Sequence, residues 1–153
     1  MTSSVEATTV VKWLAKDRLP AHGGCGQWAE PGEWMPVIED LMPCVRGYHV
    51  CKVDQSIDWL AIECWTVETR GKHAKENDKT CVAEARLVSR LPWDDRIARH
   101  FAVDCVEHVA HLSDDPKVRS AIAITRRYAD GHATIDELAD ACDAVKYGDD
   151  RQA

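Results

Sequence analysis

The stretch "TCVAEARLVSRLPWDD", residues 80–95, marks a change in the pattern of the chain. In its first half, apolar residues alternate as in a half-buried β-strand, although the alanines and Glu84 favour a helix. The alternating residues are Cys81, Ala83, Ala85 and Leu87. Strand and helix therefore both stay open for 81–91, with a strand preferred at the start. Pro92 ends the segment and Asp94 is a suitable helix N-cap, so the fold is expected to change here.

After this boundary, the spacing of apolar residues predicts three helices. The second helix starts near Pro116 and stops at Gly131, and the third opens on a capping box of Thr134 and Glu137. Short connections predict that neighbouring helices pack antiparallel. The first helix covers about 94–112, and its apolar stripe, expected to face the core, consists of Ile97, Phe101, Cys105, Val109 and Leu112.

Before the boundary, the pattern is that of short strands joined by loops. The β-branched run 8–15 and the alternating "ECWTVET" segment, 63–69, predict strands, and "VRGYHV", 45–50, predicts a strand or turn ending near Lys52. The proline- and glycine-rich segment 20–40 should be loop and turn, with short strands near Trp28 and Trp34.

One short helix is expected within the β-rich part, over 55–61, with Asp54 as its N-cap. The fold class predicted for the whole chain is α+β. A small β-rich domain with a mixed or antiparallel sheet occupies 1–92, a three-helix module packed on it occupies 93–148, and 149–153 form a tail.

The composition narrows the classes of partner. The net charge of -7 argues against nucleic acid, because phosphate-backbone binding depends on Lys and Arg. Nowhere do 18 apolar residues run together, and the N-terminus lacks a signal-peptide pattern, so we expect no membrane span and a cytoplasmic protein. The seven cysteines lack the spacing of a disulfide scaffold, so most are expected to be buried reduced thiols. The sequence leaves open whether the chain forms an oligomer.

The segment "CVRGYHVC", 44–51, is the densest cluster of reactive side chains. Cys44, His49 and Cys51 could contribute to a zinc site, but no second ligand pair at zinc spacing accompanies them. His49 and Cys51 could also form a nucleophilic pair on one face of a strand, yet the sequence offers no orienting partner. We therefore predict no metal and no cofactor, and expect the cysteines to be packing residues beside a turn.

A second cluster follows one face of the first predicted helix, at positions His100, Asp104, His108 and His111. Two histidines and a carboxylate could bind a divalent cation. The same spacing is typical of the solvated flank of an amphipathic helix, which is the preferred interpretation.

The order of short motifs over about residues 9–91 resembles an uncharacterised family of small bacteriophage and prophage proteins. The motifs are "CGQWAEPGEWMP", "GYHVC", "CWTVETRGK" and "DKTCVAEARLVSRL". The residues that carry this resemblance are Gly47, Tyr48, His49, Cys51, Gly71, Asp78 and Lys79. The helical third resembles a module found in some immunity-type proteins, through Arg119, Arg126, Tyr128 and Gly131. Neither resemblance implies a reaction.

A looser resemblance points to a different class. "GYHVCKVDQSIDWL" followed by "CWTVE" has the layout of the core of ADP-ribosyltransferase-like and RNA 2′-phosphotransferase-like folds. That resemblance implies that His49 helps to hold an NAD ribose, with Tyr48 or Trp59 as a stacking wall and Glu84 as the nearest candidate acid. The basic residues that the phosphotransferases need are not evident.

The sequence thus predicts a small phage-encoded cytosolic accessory protein that binds a host or phage protein without catalysis. Inhibition of a host or defence component is the most concrete form of this hypothesis. The alternative is an NAD-using enzyme, or a degenerate relative of one, with His49 in the ribose-binding role. A third possibility is a minor virion or scaffold component.

Overall fold

The computed structural model describes residues 9–147, except for the side chain of Tyr147. The chain separates into two compact units, the first ending at Trp93 and the second beginning at Asp94. Strands form the first and helices the second, which confirms the predicted α+β class. The predicted tail 149–153 lies outside the described residues.

Unit 1 is a four-stranded antiparallel barrel. Its strands are β1 (Val10–Leu14), β2 (Tyr48–Lys52), β3 (Glu63–Lys75) and β4 (Thr80–Arg90). They close in the order β1-β2-β4-β3, with β3 pairing back to β1. The sequence left strand or helix open for 81–91, and the structure shows a strand that runs almost to Pro92. The four alternating residues in it are all buried.

Two buried clusters hold the barrel together. One face of β1 carries Leu14 into the main cluster, where it is fully buried beside Val50, Val67, Val82, Ala85, Leu87 and Trp28. The other face carries Val11 and Trp13 into a smaller cluster with Cys51 and Cys64. Because successive side chains of a strand point to opposite faces, Lys12 shares its face with Leu14 and the main cluster.

The strands expected near Trp28 and Trp34 are absent, and this prediction was wrong. The segment instead runs beside β4 as an irregular chain whose backbone N–H groups donate to β4 carbonyls. The bonds join Gly32 to Leu87 (2.7 Å), Met35 to Ala85 (2.9 Å) and Ile38 to Ala83 (3.0 Å). The donors are three residues apart while the acceptors are two apart, so a regular β ladder cannot form.

The short helix between β2 and β3 also differs from the prediction. It is a 3-10 helix at Val53–Asp58, and its N-cap is Lys52 instead of Asp54. The Lys52 N–H donates to Oε1 of Gln55 at 2.9 Å, which satisfies the helix start without an aspartate cap. Asp54 therefore lies inside the first turn.

Unit 2 consists of α1 (Asp95–Val109), α2 (Pro116–Ala129) and α3 (Ile135–Tyr147), with a short 3-10 helix, Ala110–Leu112, after α1. The predicted ends are confirmed. The Asp94 carboxylate accepts from the Ile97 N–H at 2.8 Å, and Gly131 ends α2 at φ 76°. Thr134 and Glu137 form the reciprocal capping box, at 2.7 and 3.2 Å.

The predicted inward stripe of α1 was wrong, since all five of its residues are exposed. The buried residue of α1 is Val103, on a different face. The flank of α1 that faces α2 is polar, since Arg126 on α2 binds Asp104 (2.6 Å) and Glu107 (2.6 Å). The apolar stripe therefore lies on another side of α1.

Candidate binding cleft

The ladder between β1 and β2 is short, and a cleft opens where it ends. The two strands pair only as Val10 with Lys52 and Val11 with Cys51. Beyond these pairs, Lys12 and Trp13 on β1 and Tyr48–Val50 on β2 line a cleft of about 790 Å³. Residues from the loops 20–29 and 35–47 complete its walls.

Gly47 fixes the start of β2. Its φ is 136°, and a Cβ added there would lie 2.1 Å from the Sγ of Cys81. Only glycine tolerates both the backbone conformation and this close approach. On the side away from the cleft, β4 holds β2 through the pairs of Tyr48, His49 and Val50. The glycine of "RGYHVC" is therefore a structural requirement.

His49 ties the cleft wall to its rim. Its Nε2 accepts a hydrogen bond from the backbone N–H of Cys44 at 3.0 Å. Burial, followed by the nearby cations Lys12 and Lys79, lowers the pKa of His49, against the opposing effect of Glu76 and Asp78. The imidazole is therefore neutral at pH 7, and an accepting Nε2 requires that Nδ1 carries the proton.

Lys12 is a half-buried cation in the cleft. Burial lowers its pKa to about 8, and the weaker effect of Cys51 acts in the opposite direction. Its Nζ lies 5.5 Å from the centroid of the Trp28 ring, a cation–π distance. Among the described residues, no carboxylate forms an ion pair with it. The cleft thus contains a positive charge without an anionic partner in this part of the chain.

The positive charge of Lys79, the second lysine of the cleft, is balanced by two carboxylates. Its Nζ lies 3.2 Å from Glu76 and 3.7 Å from Asp78, and 5.0 Å from the Trp59 ring centroid. Trp59 donates from Nε1 to the Asp78 carbonyl at 2.9 Å, and His22 contacts the Trp59 carbonyl through Nε2 at 2.9 Å. Lys79 and Trp59 therefore line one side of the cleft, and Asp78 contacts both of them from behind.

Aromatic side chains form much of the remaining surface. Tyr48 donates to the Pro36 carbonyl at 2.7 Å, burial raises its pKa, and its ring meets Trp28 edge-on at 5.5 Å. Trp13 lines the cleft at 6% exposure, and its buried Nε1 has no acceptor among the described residues. The cleft therefore has a largely aromatic lining, while the Trp13 Nε1 is buried away from solvent.

The cysteines follow the prediction only in part. All seven are free, but Cys25, Cys44, Cys105 and Cys142 are exposed, so the expectation that most are buried was wrong. Burial raises the pKa of Cys51 and Cys81, and raises that of Cys64 to about 12. These three are thiols at neutral pH. Since nucleophilic attack needs a thiolate, Cys51 is a packing residue beside His49.

The structure does not assemble the metal sites considered from the sequence. Within residues 9–147, no group of three or more His, Cys, Asp or Glu side chains is placed to hold a metal ion. Cys51 packs in the smaller cluster, while Cys44 lies in a turn at φ 64° with its Sγ 3.8 Å from Glu76. On α1, His100 binds Asp130 at 3.0 Å and Asp104 binds Arg126, so these two are engaged on α2.

Only some of the residues that the NAD-using enzyme would need lie in the cleft. Tyr48, His49 and Trp59 line the cleft. Glu84 does not, because its carboxylate accepts two hydrogen bonds from Arg70, at 2.8 and 2.6 Å, across β3 and β4. Gly71, which the sequence analysis singled out, lies at φ 80° within the irregularity between Arg70 and His73.

Sequence reasoning missed Lys12, although a signal was present. In "VVKWL" the lysine occupies the same alternating face as Val10 and Leu14, both apolar. A charged residue at an inward position of a strand is unusual, since burying an unpaired charge is costly. That pattern marks Lys12 as a candidate functional residue.

The described residues define an α+β protein whose small barrel bears a lysine- and aromatic-lined cleft. Comparisons with protein-family models, curated proteins and solved structures found no match. Within the part of the chain that the structure describes, every helix is too short or too polar to cross a membrane.

Proposed function

We propose that the chain is a small phage-encoded accessory protein that acts by binding a host or phage protein, not by catalysis. Its cleft takes a short extended segment of that partner, and inhibition of a host or defence component follows from the binding. The phage origin rests on the sequence motifs alone. The binding role rests on the cleft as well.

The early end of the β1–β2 ladder carries the proposal. The strands pair at two positions, and then the edges of Lys12–Trp13 and Tyr48–Val50 face the cleft. Exposed strand edges bind extended peptides through main-chain hydrogen bonds, while neighbouring pockets select side chains. Leu14 already bridges to Pro20, so the available edge suits a segment of only a few residues.

The lining favours binding over chemistry. Aromatic residues such as Trp28, Tyr48 and Trp59 are common at interfaces, because they provide a large contact area at low entropic cost. Cys51 is a protonated thiol and the His49 Nε2 is occupied by a backbone donor. Neither is prepared to act as a nucleophile or general base.

Selection from a random displayed-peptide library tests the proposal. We expect enriched peptides to bind the full chain and to shift the NMR resonances of β1 and β2. Val45→Trp should weaken binding at least about tenfold, because Val45 lines the cleft and is 73% exposed. Val88→Trp is the matched control, an exposed valine on β4 away from the cleft. Absence of binders, or equal binding by both variants, would overturn the proposal.

The NAD-using enzyme stays a second prediction, favoured by the position of His49 and Tyr48 in the cleft. A titration with NAD, followed through the same resonances, tests it. Binding that is lost in His49→Ala and kept in His73→Ala would support the enzyme. No shift and no turnover would exclude it.

A further inference from the structure

We propose that Lys12 binds a carboxylate of the occupant, so that the partner segment carries an acidic side chain next to an aromatic or apolar one. This inference rests on the proposed function and deepens it by naming the chemistry that the cleft selects.

Lys12 is a half-buried cation that has no ion pair among the described residues. Lys12 is on the inward face of β1, between Val10 and Leu14, and Trp28 is the only described ring in cation–π contact with it. Buried charges in proteins are normally paired, because desolvation of an isolated ion is expensive. Burial has lowered the pKa of Lys12 to about 8, which leaves it mainly protonated at pH 7.

Two carboxylates of unit 1, Glu63 and Glu76, are engaged with other groups. Glu63, buried at 6% exposure, accepts from the Trp65 Nε1 (2.9 Å) and from the Asp17 N–H (3.2 Å). Glu76 is paired with Lys79. Each of these acids therefore has its own partner. Arg46 also lines the cleft but is exposed, so Lys12 is the partly buried cation of the cleft that has no carboxylate partner among the described residues.

The surface beside Lys12 is aromatic and apolar. Trp28 lies in cation–π contact with Lys12, and Tyr48 packs beside Trp28 at the main cluster. A carboxylate paired with a buried ammonium gains a charge-assisted hydrogen bond in a low-dielectric environment. The combination selects an acidic residue with an aromatic or apolar neighbour, and it selects against the same peptide with an amide in place of the acid.

Phenylacetate, with phenylacetamide as its neutral counterpart, tests the carboxylate site in the full chain. We expect phenylacetate to shift the Lys12 side-chain resonances and to raise the pKa of Lys12, because a bound anion favours the ammonium form. Phenylacetamide should bind at least about tenfold more weakly. Equal binding of the two probes would overturn the inference.

Two variants show whether the effect belongs to Lys12. Lys12→Met should abolish the preference for phenylacetate, while Lys16→Met, an exposed lysine outside the cleft with the same charge change, should keep it. Peptides selected from the library should be enriched in Asp or Glu, and selected peptides without an acid would contradict the inference. Phenylacetate binding through Lys12 with no peptide binder would support the carboxylate site and overturn the protein partner.

Discussion

The Nε2 of His49 accepts a hydrogen bond from the backbone N–H of Cys44 at 3.0 Å, which joins β2 to the turn that begins the motif. The turn is closed by the Arg46 N–H, which donates to the Met42 carbonyl at 2.7 Å. His49 therefore holds the rim of the cleft in place through a ring nitrogen that must be unprotonated. Of the roles considered for this residue, the structural one is visible in the geometry.

Acidification should loosen this rim. The pKa of His49 is lowered by burial and by Lys12 and Lys79, so the unfolded chain takes up a proton before the folded one. Stability is therefore full above the unfolded pKa of about 6.5 and falls as the pH drops below it toward the lower folded value. The Cys44 amide resonance should move as folded His49 takes up its proton, at a pH below 6.5. The free energy of unfolding should fall by about 1 kcal/mol, the worth of one hydrogen bond.

The control for this pH effect is His73, an exposed residue of β3. His49→Gln removes the titrating group while it keeps a possible acceptor, so denaturant unfolding should become less dependent on pH. His73→Gln should leave the profile unchanged. A profile that is equally steep in His49→Gln would contradict the role assigned to His49.

Lys12→Met should stabilise the folded protein. Burial lowers the pKa of Lys12 from 10.5 to about 8, so its charge opposes folding at pH 7, by roughly 2 kcal/mol once partial hydration is allowed for. The folded chain sheds this proton before the unfolded one, so the wild type should recover stability relative to Lys12→Met between about pH 8 and 10.5. Urea unfolding at pH 7 and pH 10 measures the effect, and Lys16→Met should show no such gain.

Gly47→Ala should be strongly destabilising. The new Cβ would lie 2.1 Å from the Cys81 Sγ, and φ is 136°. The expected cost is about 3 kcal/mol or more, since a clash in a packed core adds to the backbone strain. Gly131→Ala is the control for backbone strain alone, because Gly131 has φ 76° and nothing lies within 4 Å of the added Cβ. This substitution should lower the free energy of unfolding by only about 1 kcal/mol. Equal losses in the two variants would show that the contact with Cys81 does not matter.

Local patterns predicted most of the elements. Alternation of buried residues predicted the first half of β4, and the caps at Asp94, Gly131 and Thr134 fixed the helix ends, because these signals act within a few residues. The segment beside β4 was missed since its bonds, such as Met35 to Ala85, join residues far apart in sequence. Closure of the barrel is likewise a long-range property.

The site was less predictable than the fold. The motif around His49 drew attention to one wall of the cleft, but the cleft itself exists because the β1–β2 ladder ends after Val11. No local pattern shows where two distant strands stop pairing. The inward face predicted for α1 was wrong for a similar reason. The ion pairs of Arg126 with Asp104 and Glu107 join two helices, and no local pattern in α1 indicates them.

The ion pairs between α1 and α2 lead to a last prediction. The Arg126 guanidinium donates to Glu107 through Nε (2.9 Å) and Nη2 (2.6 Å) and to Asp104 through Nη2 (2.6 Å), and its hydrogen bond holds the pKa of Glu107 below the usual range. Arg126→Met should speed amide exchange in α1 and α2, and less so at high salt, because exposed ion pairs are screened. Arg127→Met is the matched control, with its Nη2 3.6 Å from Glu137. If exchange rises as much in Arg127→Met, the apolar contacts and not the Arg126 pairs set the packing of α1 on α2.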